Sequence, residues 1–223
     1  AQKPRAVRDA PWWQFLRTRP AMRRAAAGLP EVLVIALVSK TVMPMRVPAV
    51  QVFSHKLGVF ATDSLSDQAL LSSNVHLIWA VKYSSTLETR INYSPSDVFL
   101  TFPRPQGTVR LETAGQALDT ERREIMLRRK LGITKLYNLI NDPTVTKDAD
   151  VDRLREIHVE IDSATVDAFG WEDIRLSHGF HVYRQMERWT ISPAARVDVL
   201  DRLLEENLRR GASQDAPGPL GGE

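Results

Sequence analysis

The sequence contains no cysteine among its 223 residues. Disulfides and thiolate metal sites are therefore excluded, and a reducing cytoplasm is the expected location. No apolar run approaches the roughly 18 residues that cross a membrane, since the longest is Val32 to Val38. Glycine is scarce, with 11 residues, and no phosphate-cradling or dinucleotide-binding glycine motif is present. The sequence therefore predicts no membrane partner and no cofactor bound by this chain.

Charge is spread unevenly along the chain. The net charge is only +3, but residues 1–110 carry 14 Lys and Arg against 6 Asp and Glu, whereas residues 111–223 carry 16 against 21. A basic half beside an acidic half suggests that the first half meets a polyanion and that the second does not. The alternative is that these charges only solvate the surface.

The first half alternates extended and helical patterns. Pro20 suits the first turn of a helix and Gly28 its end. Ser66 is the predicted N-cap of a longer helix that reaches Ala80. In chain order, the predicted elements are a helix over Ala21–Ala27, strands within Glu31–Lys40 and Val50–Ala61, the helix from Ser66, and two extended stretches, Ser85–Asn92 and Asp97–Pro103.

The second half reads as long amphipathic helices. The first spans Leu111–Leu131, the second starts at Asp148 or Asp150 and ends at Gly170, and the third is capped by Ser192 and ends at Gly211. The predicted fold class is α+β. A mixed α/β domain over residues 1–105 is followed by a helical domain over residues 106–211 and a disordered tail over residues 212–223.

Signals for catalysis are poor. His178 and His181 have a two-residue gap, but no second ligand pair completes a metal site. His158 is predicted to lie on a helix surface. An acidic row on the same helix is read as a solvated face interleaved with Arg153 and Arg155; the row consists of Asp150, Asp152, Glu156 and Glu160. No catalytic residue and no metal ligand is assigned.

Basic residues of the first half are better candidates for function. Arginine and lysine neutralise phosphates, and arginine also reads guanine edges. Trp12, Trp13 and Phe15 either stack on bases or anchor the terminal segment on the core. The residues predicted to contact DNA are Arg17, Arg19, Arg23, Lys40, His55, Lys56, Ser85, Arg90, Tyr93 and Ser94.

Several blocks occur in one order along the chain, among them WWQFLRTRPAMRRAAAGLPEVLV, VFSHKLGVFA and GITKLYNLINDP. That order resembles the C-terminal part of large adenine-specific DNA methyltransferases of restriction–modification and phage-defence systems, of the MmeI-like and PglX-like kinds. The resemblance covers nearly all of residues 11–208. Its most specific pieces are Tyr93 to Asp97 with Thr101 to Pro103, Asn141 to Pro143, and the helix containing Leu154, Arg155 and His158.

The resemblance implies a target-recognition domain followed by a helical region, with double-stranded DNA as partner. In such enzymes a separate domain binds S-adenosylmethionine and methylates a flipped adenine. Its Asn-Pro-Pro-Tyr motif is missing here. We therefore expect this chain to be inactive alone and to work with an adenine-methylase domain in cis or in trans. The stretch containing Phe99 and Phe102 is expected to be the closing strand of the recognition domain.

Two other interpretations stay open at this point. The chain could be a protein-interaction or scaffold module of a defence complex without DNA contact, docking a partner through faces that contain Leu118, Ile125 and Leu203. It could also be a fragment without independent function. The sequence begins with Ala, which suggests either a processed start or a piece of a longer polypeptide.

Overall fold

The computed structural model describes residues 19–87 and 90–215. Arg17 and the aromatic cluster of Trp12, Trp13 and Phe15 lie outside the described residues, as does most of the predicted tail. Among the helices that are described, none combines the length and apolarity needed to cross a bilayer.

A short helix and an antiparallel sheet open the described chain. Helix α1 spans Pro20–Ala26, and Gly28 follows with φ of 89°. The first sheet has the strand order β3-β1-β4. Its strands are β1 Glu31–Ala36, β3 Met45–Pro48 and β4 Leu57–Phe60. The predicted strand over Val50–Ala61 is thus only partly correct, because residues 50–56 form the connection into β4.

Two helices replace the single helix predicted from Ser66. Helix α2 spans Leu65–Ser72 and α3 spans Asn74–Tyr83, with Ser64 and Ser73 as N-caps. Ser73 is extended, its Oγ accepts from the His76 amide, and it donates to the Leu70 carbonyl. This capping breaks the helix inside a segment that is buried on almost every side. A segment that is buried on all sides has no single apolar stripe. Hydrophobic periodicity therefore could not predict where one helix ends and the next begins.

The second sheet has the order β2-β6-β5, formed by Val38–Ser39, Arg90–Asn92 and Ser85–Leu87. The segment directly after β6 is not a strand. Pro95–Phe99 forms a π-helical turn, so the predicted closing strand is wrong. The Leu100 amide bonds the Pro95 carbonyl, so the segment satisfies its own main chain. Phe102 is buried and Phe99 packs on the core, as expected. Val98 is buried as well, whereas the alternation of a strand would point its side chain away from the core.

The helical part is built on three helices, α4 Val109–Arg129, α5 Ile133–Ile140 and α6 Ala149–Ala168. Asp148 caps α6, and Gly170 follows its end with φ of 74°. Gly115 lies where α4 meets α2, and a Cβ at this position would be 2.0 Å from the Leu65 carbonyl oxygen. A side chain is therefore excluded there by close helix packing.

A hairpin interrupts the region predicted to be helical. Strands β7 Gly179–Tyr183 and β8 Met186–Thr190 pair through a tight turn at Arg184 and Gln185, which both have positive φ. Such a turn matches the twist of the strands but usually uses Asn and Gly, so the sequence signal was weak. Helix α7 then spans Pro193–Asp215, four residues past the predicted end at Gly211.

One core crosses the predicted boundary between residues 105 and 106. Trp79 and Phe102 belong to the same buried cluster as Val199 and Leu203 of α7. A second cluster joins Ala69 of α2 to the helices α4, α5 and α6. The α+β fold class is confirmed, whereas the division into two domains stays a prediction. The proposed partner-docking faces are wrong, because Leu118, Ile125 and Leu203 are buried in the cores; their exposed fractions are 0%, 3% and 0%.

Candidate nucleic-acid interface

An open cleft of about 1010 Å³ lies between α1 and the segment that joins β3 to β4. Its lining brings together three residues predicted to contact DNA, namely Arg19, Arg23 and His55. Phe53 and the exposed Val52 lie beside them. The cleft thus combines basic side chains, which can contact phosphates, with apolar and aromatic surface.

Main-chain hydrogen bonds connect Lys56, which follows the cleft residue His55, to the second sheet. The Leu37 amide donates to the Lys56 carbonyl at 2.9 Å, and the Leu37 carbonyl accepts from the Tyr93 amide at 2.7 Å. These two main-chain hydrogen bonds place the backbone at Lys56 close to that at Tyr93 and Ser94. The Lys56 side chain is exposed, and Ser94 is half-buried.

The second sheet presents polar side chains to solvent. Ser85, Arg90 and Asn92 are exposed, and Asn92 Nδ2 donates to Ser85 Oγ at 3.0 Å. Lys40, which is also exposed, directly follows β2. Because Ser39 is paired with Ile91 in the antiparallel ladder, Lys40 lies at the same end of this sheet as Arg90.

Tyr93 has to be removed from the predicted DNA-contacting residues. It is only 3% exposed, and its hydroxyl is 3.1 Å from His76 Nε2 inside the core. Burial raises the pKa of Tyr93, and burial also lowers the pKa of His76 to about 4. Both side chains are therefore neutral packing groups at pH 7. The sequence placed Tyr93 beside a Ser-Pro turn but could not show which way its ring points.

Cations of the hairpin extend this surface into the second half. Arg188 Nη2 donates to the Lys40 carbonyl, across 148 positions of sequence. The charges of Arg184, Arg188 and Arg196 all act on the Tyr183 hydroxyl. We call the set consisting of Arg19, Arg23, Lys56, Arg90, Lys40, Arg184, Arg188 and Arg196 the cationic band. The sequence missed its last three members because they lie in a half whose total charge is negative.

Several acidic residues of the helical part are paired with arginines of the same part. Ion pairs join α4 to α6 and join α7 to the segment after α6, and the predicted solvated face of α6 is confirmed. Arg155, however, is buried and donates to the carbonyls of Ile140, Asp142 and Val145. The pairs are Arg110–Glu160, Arg128–Asp150, Arg129–Asp148, Arg153–Glu121 and Arg202–Asp173.

Buried polar groups between the two halves are used to hold the fold. Asp162 is 1% exposed and accepts from the amide of Asn74 at 2.6 Å and from its Nδ2 at 2.7 Å. His178 Nε2 lies 2.8 Å from the same carboxylate, and Thr190 Oγ1 donates to Asn74 Oδ1. Within the described residues, no group of three or more His, Asp or Glu side chains is placed to hold a metal ion. This network satisfies buried groups and leaves no free acid or base.

His158 is buried, which corrects its predicted place on a helix surface. Its Nε2 lies 2.9 Å from the Tyr137 hydroxyl, and burial lowers its pKa to about 4. Arg122, 1% exposed, donates to Tyr137 and, at 2.9 Å, to the Pro44 carbonyl of the first half. These contacts again join the two halves of the chain.

No family model and no curated protein matches this chain. A solved structure does: the Type IIL restriction-modification enzyme MmeI in complex with DNA has a segment of the same fold, with a TM-score of 0.56 and 20% sequence identity. The match covers 82% of this chain and 21% of the MmeI chain. This chain therefore spans about a fifth of that enzyme, and the likeness shows a shared fold.

Proposed function

We propose that this chain is the DNA-recognition portion of an N6-adenine DNA methyltransferase of a restriction–modification or phage-defence system. Double-stranded DNA is its partner, and the methyl transfer takes place on a catalytic domain supplied in cis or in trans. In this proposal the cationic band contacts phosphates and fixes the register, and neighbouring polar side chains such as Ser85 and Asn92 face the bases.

The observation that carries the proposal is the cationic band. Its residues come from six separate segments between α1 and α7, and contacts between main-chain groups and side chains connect them. Several carboxylates of the helical part are meanwhile paired with other arginines. A continuous excess of positive charge is the feature that duplex binding requires. The fold shared with part of MmeI, whose structure was solved with DNA, supports the same conclusion.

S-adenosylmethionine belongs, in this proposal, to the catalytic domain. Every described strand pair is antiparallel. Nucleotide-type cofactors instead bind in the crevice at the carboxyl ends of parallel strands. In this proposal no step of methyl transfer is assigned to the described residues.

Duplex binding by the full chain tests the proposal. Fluorescence anisotropy with a labelled duplex, measured from about 50 to 200 mM salt, should show affinity that falls linearly in a log–log plot. Selection from a random duplex pool should then enrich one sequence motif. Absence of binding at the lowest salt concentration, or binding that does not change with salt, would refute the proposal.

A further inference from the structure

Three arginines surround Tyr183 in the hairpin between α6 and α7. Arg184 lies in the tight turn and Arg188 on β8, while Arg196 reaches the ring from the first turns of α7. All three charges act on the Tyr183 hydroxyl, although burial has the larger effect and raises its pKa. The group is thus a cationic site formed by the hairpin and the first turn of α7.

Arg196 is held in place yet lacks an acceptor for one nitrogen. Its guanidinium carbon lies 4.4 Å from the centre of the Tyr183 ring, and Nη2 donates to the Val182 carbonyl at 3.0 Å. Nη1 is buried and has no hydrogen-bond partner in the described structure. Stacking on the tyrosine and the bond to the carbonyl fix the orientation of the guanidinium, which lowers the entropy cost of binding an anion.

Among the residues that the structure describes, no carboxylate balances the charge of these arginines. None of them forms an ion pair with a described carboxylate, in contrast to the arginines on α4. Glu187, the acid nearest in sequence, is paired with Val182, whereas Arg188 is paired with His181. Because neighbouring residues of a strand point to opposite sides of the hairpin, the Glu187 side chain does not share a face with Arg188. Desolvated cations without an anion are unfavourable, and burial accordingly lowers the pKa of both Arg188 and Arg196.

The position of the site indicates which anion it meets. Arg188 bonds the Lys40 carbonyl and thereby joins the hairpin to the outer surface of the second sheet, next to Arg90. A guanidinium matches the geometry of a phosphate oxygen pair. We propose that Arg184, Arg188 and Arg196 bind backbone phosphates of duplex DNA, so that the hairpin forms one end of the DNA-contacting surface. This inference rests on the proposed function and adds a contact from the half of the chain that is acidic overall.

The test compares two triple variants of the full chain that lose the same charge. The first is Arg184→Gln, Arg188→Gln and Arg196→Gln. The control is Arg110→Gln, Arg128→Gln and Arg153→Gln, three exposed arginines that are already paired with carboxylates. The salt dependence of duplex binding is measured by anisotropy for both. For the first variant, the slope of log affinity against log salt concentration should be smaller in magnitude by about 0.9 for each phosphate contact removed, and by up to about 2.7 in total. The control should keep the wild-type slope.

The outcomes separate this inference from the proposed function. If wild-type protein binds the duplex and both variants keep its slope, the hairpin inference is wrong and duplex recognition stands. If both variants lose the same amount, the effect is one of total charge and the inference is again overturned. If the wild-type protein does not bind, both proposals fail.

A second measurement covers the case in which the triple variant does not fold. Arg184 is exposed at the turn, so the single variant Arg184→Gln should fold. Its salt slope should be smaller in magnitude than that of the wild type by about 0.9. On the unchanged protein, modification of arginines by phenylglyoxal is followed by mass spectrometry. Protection of Arg184 and Arg188 by duplex, but not by inorganic phosphate at the same phosphate concentration, supports the inference. Equal protection by inorganic phosphate, or none by duplex, contradicts it.

Discussion

The two halves of the chain differ in charge and in secondary structure, yet they share one interior. Residues 1–110 are basic and contain the two three-stranded sheets, whereas residues 111–223 are acidic and mostly helical. Even so, Trp79 of the first half packs in the same core as Leu203 of the second. Asp162 satisfies Asn74, and Arg122 satisfies the carbonyl of Pro44.

The comparison shows that composition by halves is a poor guide to surfaces. Several acids of the second half are paired with arginines of that half, whereas Arg184, Arg188 and Arg196 form no ion pair with a described carboxylate and lie on or next to the hairpin beside Lys40. Local pairing therefore decides where positive charge faces the solvent. The predictions below test whether the halves behave as one unit and whether pairing separates their cations.

The largest expected effect is loss of stability in acid. His76 and His158, one from each half, are buried, and burial lowers the pKa of each to about 4. Unfolded histidine titrates near 6.5, so the unfolded chain binds more protons between these values. The free energy of unfolding should therefore be highest above about pH 6.5. It should fall by about 5 kcal/mol, summed over both histidines, as the pH is lowered to 4. Urea unfolding followed by tryptophan fluorescence and circular dichroism measures this.

A shared core requires that both halves unfold in a single transition at every pH in that range. The control variant is His55→Gln, which removes an exposed histidine and leaves both cores intact. A free energy of unfolding that stays constant from pH 6.5 to 4, or two separate transitions, would show that the halves are independent.

Asp162→Ala should cost about 3 to 5 kcal/mol, because it leaves His178 and the amide groups of Asn74 buried without their acceptor. Glu156→Ala on the same helix is the control, since Glu156 is exposed and its pair with Arg153 contributes less than about 1 kcal/mol. Chemical denaturation of both variants gives the two values. Equal stabilities would mean that the Asp162 network does not hold the halves together.

Gly115→Ala should destabilise the protein by about 1 to 3 kcal/mol, because its Cβ meets the Leu65 carbonyl and forces α4 away from α2. Gly211→Ala is a matched control, since Gly211 also lies within a helix and nothing lies within 4 Å of a Cβ at that position. Thermal unfolding compares them. A melting temperature for Gly115→Ala that equals the control would contradict the close packing of these helices.

The smallest effects concern DNA. Arg19→Ala and Lys56→Ala should each weaken duplex binding for every sequence alike and reduce the salt slope by about one. Arg153→Ala, whose guanidinium is already paired with Glu121 at 2.9 Å, should change neither quantity. Anisotropy over a salt series measures all three variants. An unchanged slope for Arg19→Ala and Lys56→Ala would remove both residues from the cationic band.

Signals carried by neighbouring residues were predicted well. Pro20 begins α1, Asp148 and Ser192 cap their helices, and Gly170 lies just beyond the end of α6. Each signal acts through a side chain and a main-chain group at most a few positions apart, so the order of residues is enough to place it.

The sequence by itself determined the α+β class, the capped ends of most long helices and the presence of many cations in the first half. Only the tertiary structure decided that Tyr93 and His158 are buried, that the segment after β6 is a π-helical turn, and that Arg188 reaches Lys40. The physical reason is the separation in sequence between the groups that interact. A cap joins residues a few positions apart, whereas burial and the pairing of charges depend on groups as much as 148 positions apart, whose meeting is set by the packing of the whole chain.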